Sequence, residues 1–215
     1  MKKICLFFAL TILIGLNAKS QLLVENFDYG TTPDTLLGVT NNWVKNGGGT
    51  DLFYVTNSLT MTNYIAWNGI GGAVELDNQR SEDVHRNIGT LSGVIYYSAL
   101  VKITNPTSIN GDFFILIMKE GSTTFYGKLF AKKIDNSTFK FGIGNGNTDS
   151  VYCQTPYSID VTYLVVVRFN SNDRTMKMYV FDEQNRIQAT EPANPAAQTT
   201  ATGNALTDQN SITLW

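Results

Sequence analysis

The sequence predicts an all-β fold, two antiparallel sheets packed as a sandwich, from three observations. Its 215 residues are only 16% charged but 12% aromatic, with 18 glycines. Coiled coils and helical bundles are richer in Ala, Glu, Lys and Leu, and disordered chains are poorer in aromatics. Strand-like runs recur about every ten residues between turn residues. In one of them Phe139, Phe141 and Ile143 alternate with Thr138, Lys140 and Gly142, the period of two of a strand with one face on a core and the other in water. The length is that of one domain, which buries roughly 70% of its unfolded surface without needing a disulfide or a metal.

Residues 1–20 read as a secretory signal. Lys2 and Lys3 form a basic start, Ile4 to Leu16 an apolar stretch and Ala18-Lys19-Ser20 a small-x-small cleavage site. The stretch falls short of the roughly 20 apolar residues that cross a bilayer as a helix, so no permanent transmembrane segment is expected. Cys5 precedes the stretch and is not placed to carry a lipid at the mature N-terminus. The mature domain is then 21–215, secreted or at the cell surface. Losing Lys2, Lys3 and Lys19 lowers the basic count from 16 to 13 against 18 acids, moving the formal charge from −2 to −5. With a pI near 5.4, the chain lacks the electrostatic basis for nucleic-acid or anionic-membrane binding.

Along the mature chain the predicted strands are 22–27, 51–55, 73–76, 94–103, 113–119, 125–134, 138–143, 161–169, 175–181 and 212–215. The runs 113–118 and 163–167 are apolar on both faces and rich in β-branched or aromatic residues, which places them centrally. Asn170-Ser171-Asn172-Asp173-Arg174 is a polar hairpin loop. Residues 33–37 have room for one helical turn, and the helix content is expected below about a tenth. Residues 191–205, rich in Pro, Ala, Thr and Asn, read as a long surface connection. The final strand pattern stops on an apolar Trp215. An open edge there would be exposed to aggregation, so the sequence reads as a fragment of a longer protein lacking at least one strand.

A family resemblance is carried by Leu23-Val24-Glu25-Asn26-Phe27-Asp28-Tyr29 after the signal and by Trp43 followed by Gly47-Gly48-Gly49. Glu82-Asp83-Val84-His85-Arg86, Gly93-Val94-Ile95-Tyr96-Tyr97-Ser98, Gly111-Asp112-Phe113-Phe114 and Phe139-Lys140-Phe141-Gly142-Ile143 continue it. Over nearly the whole mature chain it resembles the concanavalin A-like, laminin-G-like jelly-roll modules near the N-terminus of large exported proteins of Gram-negative bacteria. The resemblance implies a jelly-roll sandwich, frequent carbohydrate binding, occasional glycoside hydrolysis, stabilising Ca²⁺ and downstream modules ending in a sorting domain. One activity does not follow from such a fold.

The residues carry several chemical candidates. Glu75 and Asp77, two apart on a strand, would place two carboxylates on one face. Jelly-roll glycosidases use Glu-x-Asp-x-Glu, but here the third position is Gln79, so the alternative is a polar strand end followed by a turn. Asp77-Asn78 and Asp112 are the oxygens a Ca²⁺ ion would use, although no Asp-x-Asp-x-Asp loop is present. His85 has no second ligand at metal spacing. Cys153, the single mature cysteine, has no disulfide partner, and no spacing joins it to His85 as a catalytic base; core packing is its expected role. Gly142-Ile143-Gly144-Asn145-Gly146-Asn147 is followed by no helix to hold a phosphate, and Asn136-Ser137-Thr138 reads as a turn. No Gly-x-Ser-x-Gly elbow occurs. Tyr29, Trp43, Tyr64 and Trp67 lie near turns, where they would stack on sugar rings or else pack the core and its rim. The leading reading is a non-catalytic, carbohydrate-binding module. The alternatives are a structural or adhesion spacer, and a glycoside hydrolase or lyase built on Glu75 and Asp77.

Overall fold

The computed structural model describes residues 21–48, 52–62, 64, 69–77, 83–145, 149–199 and 203–215. Its strands begin with β1 (Asp34–Thr35), β2 (Val44–Lys45), β3 (Phe53–Val55), β4 (Ala73–Glu75) and β5 (Val84–Asn87). Long strands follow: β6 (Val94–Lys102), β7 (Asp112–Met118), β8 (Phe125–Lys133) and β9 (Thr138–Asn145). The remainder are β10 (Asp149–Tyr152), β11 (Tyr157–Ser158), β12 (Thr162–Asn170), β13 (Met176–Phe181), β14 (Ala197–Gln198) and β15 (Ser211–Leu214). One turn of helix, α1 (Leu36–Val39), starts where the Thr35 hydroxyl accepts from the Gly38 amide.

The larger sheet runs β10-β9-β8-β7-β15-β5-β2, with β11 also on β9, and the second runs β14-β13-β12-β6. A small third sheet is β1-β3-β4. All the ladders are antiparallel. The strands that are apolar on both faces are internal, as their composition predicts: β7 lies between β8 and β15, and β12 between β13 and β6.

One continuous core joins the two large sheets. Ile115, Ile117, Leu129, Phe139, Phe141 and Ile143 from the larger sheet cluster with Tyr163, Val165, Val167, Phe169, Met176 and Met178 from the second. This is the alternation of β9 read as packing. Removing each such side chain from water contributes about 1.5–3 kcal/mol. Cys153 belongs to the same core as a free thiol. Burial pushes the thiol up to about 11, only partly offset by a hydrogen bond with Tyr157, so it is a packing residue rather than a nucleophile.

Three expectations are corrected. Residues 22–27 form no strand. The Glu25 carboxylate accepts the Phe27 amide at 2.7 Å and Arg86 Nη1 at 2.5 Å, while the Asn26 and Phe27 carbonyls accept from Gly72. Local side-chain bonding has taken the donor a ladder would use, and Phe27 sits at φ 50. Residues 191–205 are not wholly a surface connection: β14 pairs with β13, Ala197 and Thr199 are buried, and the Thr199 hydroxyl accepts the Met176 amide at 2.9 Å. The open edge expected at residues 211–215 is not found, because β15 is inserted between β5 and β7 and paired on both sides. β15 therefore needs no additional strand to satisfy its backbone.

Candidate functional site

The outer face of the larger sheet is built by the residues that alternate with the core. In β8, Leu129 and Ala131 face the core, so Lys128, Phe130 and Lys132 face outward. In β9, Phe139, Phe141 and Ile143 face inward, which puts Lys140, Gly142 and Gly144 outside. A register shift between Phe113 and Ile115 in β7 turns Phe113 to the outer side while Ile115 and Ile117 remain in the core.

These strands bring five rings together. Phe113 lies 5.7 Å from Phe130, 6.1 Å from Phe125 and 5.2 Å from Trp215, centroid to centroid. Phe125 and Trp215 meet edge to face at 4.8 Å, and Phe130 and Tyr152 at 6.2 Å. The Lys128 ammonium stands 4.5 Å over Phe113 and 5.7 Å from Phe125, and Lys132 stands 5.1 Å over Tyr152. The ring faces carry negative charge density, which stabilises such cations. Burial lowers the Lys128 ammonium from its ordinary range.

At one end of this surface a cleft of about 400 Å³ is bordered by Phe125, Trp215, Asn46, Asp83, Ser122 and Thr123. Trp215 is 38% exposed there. The loop after β7 that forms one wall is tied down at Glu120. Its amide donates to Asn210 at 2.8 Å, and its carboxylate accepts from Asn87 at 2.8 Å and lies 3.4 Å from the buried His85 Nε2. The Asn87 bond, then that of His85, holds the Glu120 carboxyl below its usual range. The chemistry offered is apolar ring surface beside hydroxyl, amide and carboxylate groups.

The residues expected to bind a ligand are placed elsewhere. Trp43 is 4% exposed and stacks on Phe27 at 6.0 Å within the core. Tyr29 packs against Tyr54 and donates to Glu25 at 2.6 Å. Tyr64 packs against the separate cluster of Met61, Leu164, Tyr179 and Phe181. Trp67 lies outside the described residues, as do Asn78 and Gln79. Glu75 is exposed at the end of β4 and Asp77 just beyond it, on the small sheet, and neither borders the cleft. Asp112 is exposed at the start of β7. Among the described residues no three His, Cys, Asp or Glu side chains group as a metal site. At 136–138 the turn is tight: the Asp135 carboxylate accepts from the amides and hydroxyls of Ser137 and Thr138.

A second polar cluster lies on the outer face of the smaller sheet. Glu191 accepts from the Tyr179 hydroxyl at 2.6 Å, Tyr96 at 2.5 Å and Lys177 at 3.3 Å, with Arg168 Nε at 3.7 Å. These bonds, Tyr179 first and Tyr96 next, hold its carboxyl at about 2. The carboxylate ties the segment after β13 across a cavity of about 180 Å³ lined by Tyr96, Val166, Phe181 and Ile187. A carboxyl lowered on folding stabilises the folded state above its ordinary titration near 4.5. That contribution is expected to fade as pH falls from there toward 2. Glu191→Gln is expected to cost about 1 kcal/mol at neutral pH, the partial exposure of the site discounting its charged hydrogen bonds. Urea unfolding of both proteins at neutral and acid pH checks this: the difference should shrink in acid.

The fold and site define the protein as an antiparallel two-sheet sandwich with an aromatic, lysine-bearing outer face. No family model matches the chain, and no significant match is found among curated proteins.

Proposed function

We propose that the protein is a non-catalytic carbohydrate-binding module of a larger exported protein, with the Phe125–Trp215 cleft as its sugar site. The observation that carries this reading is the pair of rings beside Asn46, Asp83, Ser122 and Thr123 in an open cleft of about 400 Å³. Pyranose rings present apolar C–H faces that stack on aromatics, and their hydroxyls pair with side chains of this kind. The export signal read at residues 1–20 agrees with a glycan met outside the cytoplasm. The downstream modules remain part of this proposal through the family resemblance.

Hydrolysis is the less favoured reading. Asp83 is the one carboxylate among the described residues bordering the cleft, whereas glycosidases use two about 5–10 Å apart.

The mature protein should bind at least one polymer on a glycan array and give a saturating isotherm by titration calorimetry, with no products released. Trp215→Ala and Phe125→Ala should each weaken binding about tenfold or more, because a stacked ring is a typical binding anchor. Asn46→Ala, at the polar rim, should weaken it less and keeps the test sound if an aromatic variant unfolds. Absence of binding to every glycan, or affinity unchanged in all three folded variants, would favour a spacer role and reject this reading.

A further inference from the structure

Lys132 of β8 and Lys140 of β9 are directly opposite in the antiparallel ladder, on the outer face. Like charges in that position repel and destabilise the pairing. Among the described residues no carboxylate lies within 4.0 Å of either ammonium to offset the repulsion. On the same face, Lys128 adds a third cation over Phe113, and the Tyr152 ring lies beneath Lys132. Next to the lysines, Gly142 and Gly144 leave β9 without protruding side chains. The result is a cationic strip that continues into the Phe113, Phe125 and Trp215 rings.

We propose that this strip recognises an acidic polysaccharide, with the lysines pairing with carboxylate or sulfate groups while the rings hold sugar faces. The proposal rests on the carbohydrate reading and specifies its ligand class. A neutral glycan would gain nothing from two unneutralised opposed ammonium groups, whereas an anion between them removes their repulsion. The chain has more acidic than basic residues, so these lysines act as a local attraction on a surface that otherwise repels polyanions. The aromatic component favours a sugar polymer over a purely charged partner. From β8 to β15 is two strand spacings, about 10 Å, so lysines and cleft are both engaged only by a chain of several sugar units.

The test uses the mature protein, polygalacturonate, dextran sulfate and a neutral β-glucan, titrated at about 50 and about 300 mM NaCl, where the screening length shortens markedly. An acidic polymer should bind and lose affinity in the higher salt. Lys132→Ala/Lys140→Ala should weaken that binding about tenfold and flatten its salt dependence. Neutral-glycan affinity, if present, should be unchanged in this variant, and its melting temperature should not fall, since the substitutions remove a repulsion. Binding of the neutral polymer alone would overturn the acidic specificity and leave the carbohydrate reading standing. Acidic-polymer binding that ignores the double substitution would overturn the lysine site. Binding of no polymer would overturn both.

Discussion

Phe141→Ala is expected to destabilise the protein by about 3–5 kcal/mol, the range for removing a fully buried aromatic side chain and leaving a void. Phe141 has no exposed surface. Its ring meets Phe139 edge to face at 4.7 Å, Tyr157 at 5.3 Å and Tyr163 at 5.9 Å. Tyr163 belongs to β12 of the opposing sheet, so the substitution opens the contact between the sheets and not only one ladder. Neighbouring rings are large and held by one another, which limits collapse into the vacated space. Against a typical total stability of about 5–15 kcal/mol the loss takes a large share. Denaturant unfolding of Phe141→Ala beside Lys140→Ala, its outward neighbour, measures it. The second variant should lie within about 0.5 kcal/mol of the parent, as surface changes generally do. A loss at Phe141 below about 1 kcal/mol would mean that this inter-sheet cluster does not hold the sandwich together.

That same strand was legible in the sequence because its information is local. Phe139, Phe141 and Ile143 declare a buried face by alternation, and the continuous apolar runs of β7 and β12 declare internal strands. Residues 22–27 have an equally apolar look, yet Glu25 captures the Phe27 amide, a competition between side chain and backbone that periodicity does not register. Trp43 near a glycine-rich turn resembles a ligand-stacking residue, but Phe27 covers it in the core. The candidate site is the least legible part, since it is made by pairing rather than by spacing. Phe113, Phe125 and Trp215 are far apart along the chain and become neighbours because β15 enters between β5 and β7. The outward period of Lys128, Phe130 and Lys132 is visible along β8. The opposition of Lys132 to Lys140 depends on the register with β9, which no single strand encodes.

Gly142→Ala is expected to cost about 1–3 kcal/mol, although alanine is small and the strand is extended, because the added methyl group enters occupied space. Gly142 and Tyr152 are direct partners in the β9–β10 ladder. A Cβ at 142 would stand 2.5 Å from Tyr152 Cδ1 and 2.7 Å from Cε1. The ring has little freedom to retreat. Its hydroxyl donates to the Asn110 carbonyl at 3.0 Å, and a Cβ at Gly111, where φ is +90, would in turn strike that hydroxyl at 2.0 Å. Glycine at 142 therefore lets the tyrosine lie flat across β9, where it meets Phe130 and supports the Lys132 ammonium. The cause is separable from generic strand effects by a double-mutant cycle. In a Tyr152→Ala background the clash is gone, and Gly142→Ala should become neutral or stabilise by up to about 1 kcal/mol, the gain from restricting a glycine in the unfolded chain. An equal cost in both backgrounds would show that something other than the tyrosine ring requires glycine at this position. The cycle also bears on binding: displacing the ring removes the face under Lys132, so Gly142→Ala should weaken acidic-polymer affinity even at temperatures where the variant is fully folded.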